Sequence, residues 1–132
     1  MTDETGFGEQ AAQAAVENIT DGGVTIHLCT QSVAYGDDSA DIDSKSDAQE
    51  DVAEGDLTIN AATGFDDAQT LELAADVAYG SLDIGTVEDV VIQNQADGDL
   101  WILADEENSP ELTGEEYTIE SGEILHELGH IA

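Results

Sequence analysis

Val24-Thr25-Ile26-His27-Leu28-Cys29-Thr30 is the stretch on which the fold turns. Its apolar residues alternate with period two and β-branched side chains are frequent, the pattern of a strand. Just before it, Asp21-Gly22-Gly23 stops a helix. Upstream of that stop, Phe7, Ala11, Ala14, Ala15 and Ile19 recur at helical spacing, with Val16 alongside. The spacing predicts one helix over residues 7–19, with Glu9, Gln10, Gln13 and Glu17 on its outer face. Downstream, residues 36–55 hold Asp37, Asp38, Asp41, Asp43, Asp47, Glu50, Asp51 and Glu54 between Gly36 and Gly55. They read as a long, solvated acidic loop.

The remainder reads as short strands at roughly ten-residue spacing: 57–60, 70–74, 81–84, 87–94, 100–104, 116–119 and 123–128. Ala96-Asp97-Gly98-Asp99 is a hairpin turn, since Asp-Gly supports the positive φ angles of a tight turn. No internal repeat is visible. At 132 residues the chain is the size of one domain, here 1–132, with the β portion spanning 24–128. The expected fold is a mainly β, antiparallel β-sandwich, jelly-roll-like, with one N-terminal α-helix.

Thirty-two acidic residues stand against a single base, Lys45, giving a formal charge of −31. Self-repulsion on that scale opposes a compact state in dilute buffer. At about 1 M salt the Debye length falls to about 3 Å and most of the repulsion is screened. Hydrophobic residues still make up 40% of the chain, in short ordered runs that a disordered acidic tail lacks. The combination predicts a folded protein adapted to concentrated salt. One lysine cannot make the basic footprint that nucleic acid requires. No stretch approaches the roughly twenty apolar residues that span a bilayer. Met-Thr-Asp-Glu-Thr at the start has neither the basic nor the apolar region of a secretory signal. Cys29 is alone, which excludes an internal disulfide, and its apolar setting reads as a small buried hydrophobe.

The sharpest chemical signal is His126-Glu127-Leu128-Gly129-His130, an HExxH string. As a zinc-peptidase site it needs both histidines on one helical face as ligands, with Glu127 as general base toward the metal-bound water. A third ligand would have to come from upstream, a carboxylate or His27. Against this, Tyr117, Ile119, Gly122, Ile124 and Leu128 fit a closing pair of strands. The sequence reading therefore assigns no catalytic residue and no metal or cofactor ligand, and keeps Glu127 as catalytic and His126 and His130 as metal-binding under the peptidase alternative. Loosely held cations among the loop carboxylates are compatible with the pattern. Asp41-Ile42-Asp43-Ser44-Lys45 begins like a calcium loop, but Lys45 occupies a ligand position and Ser46 stands where glycine is needed. Gly6-Phe7-Gly8 lacks the lysine of a phosphate loop, and no nucleophile elbow is present. His27 reads as a satisfied strand histidine and Trp101 as a core or subunit-contact aromatic.

In order, these pieces resemble a group of small structural proteins of tailed viruses. The resemblance is carried by a short N-terminal helix, then Ile26-His27-Leu28-Cys29-Thr30, a variable loop at 35–54 and the strand Leu57-Thr58-Ile59-Asn60. After these come a hairpin from Val90-Val91-Ile92 to Leu100-Trp101-Ile102-Leu103, and a closing pair around Gly122 from Tyr117 to Ile124. The resemblance covers most of the chain, and the C-terminal histidine pair departs from it. It implies a β-sandwich virion component on the capsid as a turret or decoration, with a tail-fibre or baseplate subunit as the variant. With the acidic surface, it implies a virus of haloarchaea, the protein being made in the host cytoplasm and carried in the virion. Implied partners are copies of itself in a homo-oligomer, and the major capsid protein or tail subunits.

Overall fold

The structure, a computed structural model, describes residues 9–61, 69–104, 110–122 and 124–128. The chain is mainly β with antiparallel pairing throughout, in line with the strand spacing. Helix α1 (Glu9–Thr20) leads into β1 (Val24–Cys29), and the order continues α2 (Ser39–Lys45), β2 (Ser46–Val52), a 3-10 turn (Glu54–Asp56), β3 (Leu57–Asn60), β4 (Gln69–Leu73), β5 (Val77–Thr86), β6 (Asp89–Asn94), β7 (Trp101–Leu103), β8 (Glu111–Ile119) and β9 (Ile124–Leu128). They form a four-stranded sheet β2-β1-β6-β7, a three-stranded sheet β3-β4-β9 and a two-stranded ribbon β5-β8. A jelly roll would divide eight strands between two sheets of four.

β1 lies at the heart of the largest sheet, between β2 and β6. All six of its residues are buried, because both faces of this sheet are covered. Val24, Ile26 and Leu28 enter the main core with Val90 and Ile92 of β6, Leu71 and Leu73 of β4, and Leu112 and Ile119 of β8. Cys29 and Val91 meet Ile42 of α2 in a second, smaller cluster on the opposite face, with Val33 and Trp101 at its margin. The ribbon is tied to the sheet by Tyr79 of β5, whose hydroxyl donates to the Ile26 carbonyl at 2.9 Å.

The acidic segment 36–55 is not a loop. It holds α2 and β2, so two α-helices, not one, lie among the described residues. Asp38 caps α2: its side chain accepts from the Asp41 N–H while the Asp41 side chain accepts from the Asp38 N–H, a reciprocal box. Ile42 is fully buried beneath it, a burial that stabilises by about 1.5–3 kcal/mol. β2 then pairs along the whole of β1, from Val24↔Val52 to Cys29↔Ser46. One side of β2 is nearly all polar because this strand is an outer member of its sheet. Charge on an outer strand is tolerated and discourages edge pairing.

α1 buries only part of the face its spacing predicts, Ile19 with Val16 alongside. Val16, Ile19 and Thr20 are buried, whereas Ala11, Ala14 and Ala15 are exposed; Phe7 lies outside the described residues. The helix is seated by its C-terminal turn, where large side chains are available, and alanine offers little area to bury. Gly23 ends the connection with φ +99, and a Cβ there would sit 2.9 Å from the Val52 carbonyl oxygen. Gly98 serves the hairpin by the same kind of close approach. Its φ is not among the positive ones, and a Cβ on it would meet Ser39 Oγ of α2 at 2.5 Å.

Two strands are longer than expected. The segments 81–84 and 116–119 are parts of β5 and β8, whose pairing shifts register between Ala78 and Gly80, Ser81 and Asp83, and Asp83 and Gly85. Each irregularity resets the inward–outward alternation, so the period-two pattern is legible over short runs only. Among the described residues no helix is long and apolar enough to cross a membrane.

Candidate functional site

The described part of the HExxH string is strand. β9 pairs with β4, setting His126 opposite Leu71 and Glu127 opposite Thr70. The peptidase geometry needs the first histidine and the glutamate on a helical turn, and that turn is replaced here by a sheet ladder. Gly129 and His130 lie outside the described residues. Among the described residues no group of three or more His, Cys, Asp or Glu side chains is placed to hold a metal. Asp41 and Asp43 of the calcium-like run lie on α2, where Asp41 is engaged in the capping box.

His27 is 1% exposed and both ring nitrogens are bonded. Nε2 lies 2.7 Å from Gln93 Oε1, and Nδ1 lies 2.7 Å from Ser46 Oγ. Gln93 presents an oxygen, so the ring donates there; its own Nε2 donates to the Gly98 carbonyl at 2.8 Å. The chain Ser46–His27–Gln93–Gly98 thus crosses β2, β1 and β6 and reaches the β6–β7 turn. A histidine satisfied on both sides inside a sheet is a structural cross-tie.

Cys29 is buried. Burial first, then the nearby Asp47 and Asp89 carboxylates, push its thiol up to about 11, against a smaller opposing effect of Lys45. Such a thiol has little thiolate character at neutral pH and is a poor nucleophile. Burial likewise pushes the Tyr79 hydroxyl above the ordinary phenol range, with Tyr117 and Glu50 adding to it. Trp101 is half-buried and donates from Nε1 to the Asp37 carbonyl at 2.9 Å, which makes it a brace for the segment before α2.

The surface carries the remaining chemistry. Across residues 17–61, 72–99 and 111–120 no Asp or Glu is buried; the buried polar side chains there are Thr20, Thr25, His27, Gln93 and Asn94. Lys45, the one base, donates to Asp37 Oδ2 at 2.6 Å. A groove of about 530 Å³ opens where the end of α1 meets β3, walled by Glu17, Asp21 and Glu54 and floored by Leu57 and Ile59. Glu54 Oε1 accepts from the Gly22 N–H at 2.7 Å across 32 positions of sequence. The sequence pattern does not reveal this groove, because its lining comes from two segments more than thirty positions apart and no local pattern links them. The Asp38-Ser39-Ala40-Asp41 capping pattern was a legible sign of α2.

This arrangement defines a class at the level of the fold: a mainly β protein, with three antiparallel sheets and two α-helices among the described residues. No protein-family model, curated protein or solved structure matches the chain.

Proposed function

We propose that the chain is a non-enzymatic structural protein of a haloarchaeal tailed virus, exposed on the particle as a capsid turret or decoration subunit. The observation that carries this reading is the separation of charge from core. The carboxylates of residues 17–61, 72–99 and 111–120 lie outside the buried set, while two apolar clusters fill the two faces of the central sheet. A shell of this kind remains compact where salt screens repulsion at a few ångströms. Excluded salts also strengthen apolar burial, which favours contacts between like subunits. The placement of His126 and Glu127 on a sheet strand supports this reading over a peptidase one.

Mass spectrometry of gradient-purified particles tests the proposal. The protein is expected as a stoichiometric component, and its absence from the particle overturns the reading. Immunogold labelling separates the positions: label over the shell supports the decoration role, and label confined to the tail assigns the fibre or baseplate role instead.

A further inference from the structure

We propose that the outer edge of β3, with the groove beside it, takes up an extended polypeptide segment bearing lysine or arginine at alternate positions. β3 has a single strand neighbour among the described residues, β4. The direction of its backbone groups follows from the pairing. The Ala74 N–H donates to the Asp56 carbonyl at 2.8 Å, so the pair just before Leu57↔Leu73 is a hydrogen-bonded one. Antiparallel pairs alternate between bonded and non-bonded. Thr58↔Glu72 and Asn60↔Thr70 therefore carry the β3–β4 bonds, and the backbone groups of Leu57 and Ile59 face the other way. The Leu57 N–H is taken by the Glu54 carbonyl within the 3-10 turn. The Leu57 carbonyl and both backbone groups of Ile59 are left pointing outward, the set that an added strand engages.

The groove supplies the selectivity. Its apolar floor, Leu57 and Ile59, lies under walls formed by Glu17, Asp21 and Glu54. Glu17 and Glu54 each use Oε1 within the protein, for Gln13 Nε2 and the Gly22 N–H, and each has its second oxygen to offer. The chain's own base is engaged by Asp37. A segment with cationic side chains at period two would turn all of them to the groove side of the added strand, their charges against these carboxylates and their aliphatic stems over the floor, with the intervening side chains on the opposite face. A second copy of this chain would bring more carboxylates to the same place, so charge complementarity favours a cationic partner. Salt sharpens the choice. At about 1 M the screening length is about 3 Å, so diffuse attraction to the acidic surface is lost and contact pairs inside the groove survive. The inference does not rest on the virion reading and its test is separate.

The test uses the full chain, ¹⁵N-labelled, in molar KCl, titrated with a capped hexapeptide of alternating lysine and valine. Saturable amide shifts are expected at Leu57, Ile59, Gly22 and the last turn of α1. The same peptide with glutamate for lysine is expected to give none. Combining Glu17→Gln with Asp21→Asn, both at exposed positions, is expected to weaken binding about threefold to tenfold while leaving the circular dichroism spectrum unchanged. Shifts scattered over the whole acidic surface, no saturation at millimolar peptide, or equal binding by the double variant would overturn the proposal. So would concentration-dependent dimerisation through β3 in the absence of peptide.

Discussion

Asn94 and Ile19 are 75 positions apart in sequence, yet the Asn94 carboxamide donates to the Ile19 carbonyl at 2.9 Å. The same nitrogen reaches the carbonyls of Asp21 at 2.9 Å and Asn18 at 3.2 Å. The end of α1, whose last carbonyls have no partner within the helix, is thereby closed by a side chain from β6. On its other side the Asn94 oxygen accepts from the Ala96 and Asp97 N–H groups, so one residue, 4% exposed, joins the helix to the β6–β7 turn.

Asn94→Ala is therefore expected to destabilise the protein by about 2–3 kcal/mol, since buried backbone groups lose their partners. Amide hydrogen exchange should accelerate in α1 before it does in β1. Asn94→Asp, close to isosteric, should be no better than alanine, because a carboxylate faces carbonyl oxygens at the negative end of the helix dipole.

His27→Leu keeps much of the volume but strips the donor from Gln93 and the ring partner from Ser46. A loss of about 2–4 kcal/mol is expected from the shift in denaturant midpoint. In a double-mutant cycle with Gln93→Ala the two changes should be non-additive, because they act on one bonded chain. Additive effects would show that the cross-tie is not a unit.

Asp37 gives a defined pH dependence. Its hydrogen bond from Lys45 first, then that from the Ala34 N–H, holds its carboxyl below the ordinary carboxylate range. A group with a depressed folded pKa contributes stability above its unfolded pKa and loses it as pH falls through the folded value. Thermal unfolding of Asp37→Asn should thus differ from the parent at neutral pH and converge with it in acid. The difference should be small, as the pair is only half-buried and strong salt screens it.

Salt removal is expected to unfold the chain below about 0.5 M, where the screening length grows and the surface carboxylates repel. Far-UV circular dichroism during desalting reads this directly. A spectrum unchanged in dilute buffer would contradict salt adaptation.

Cys29 should resist iodoacetamide in molar salt and react after desalting, because access and thiolate formation both require opening of the second cluster. Intact mass before and after desalting reports it. Rapid labelling of the folded chain would contradict the burial of this thiol.

Much of the fold was legible along the chain. Val24 to Cys29, Leu57 to Asn60 and the β6–β7 hairpin follow from alternation bounded by glycine and aspartate. β2 was not legible, because Ser46-Asp47-Ala48-Gln49-Glu50-Asp51-Val52 carries the polar composition of a loop. Its pairing comes from β1. The ends of β5 and β8 were hidden by register shifts. Of the residues singled out for chemistry, His27 and Cys29 lie in the sheet interior, and His126 and Glu127 are separated from helical geometry by the ladder with β4.

Composition and short-range pattern determined the charge, the scarcity of basic side chains and the strand-rich character, since these depend on residue type and on periodicity within a few neighbours. Tertiary structure decided that both faces of the central sheet are covered, that the acidic segment folds into α2 and β2, and that Glu17, Asp21 and Glu54 share a groove. Each of those outcomes depends on contacts between residues tens of positions apart. Local pattern carries no record of such contacts, because the free energy that selects them arises when separate segments bury surface against one another.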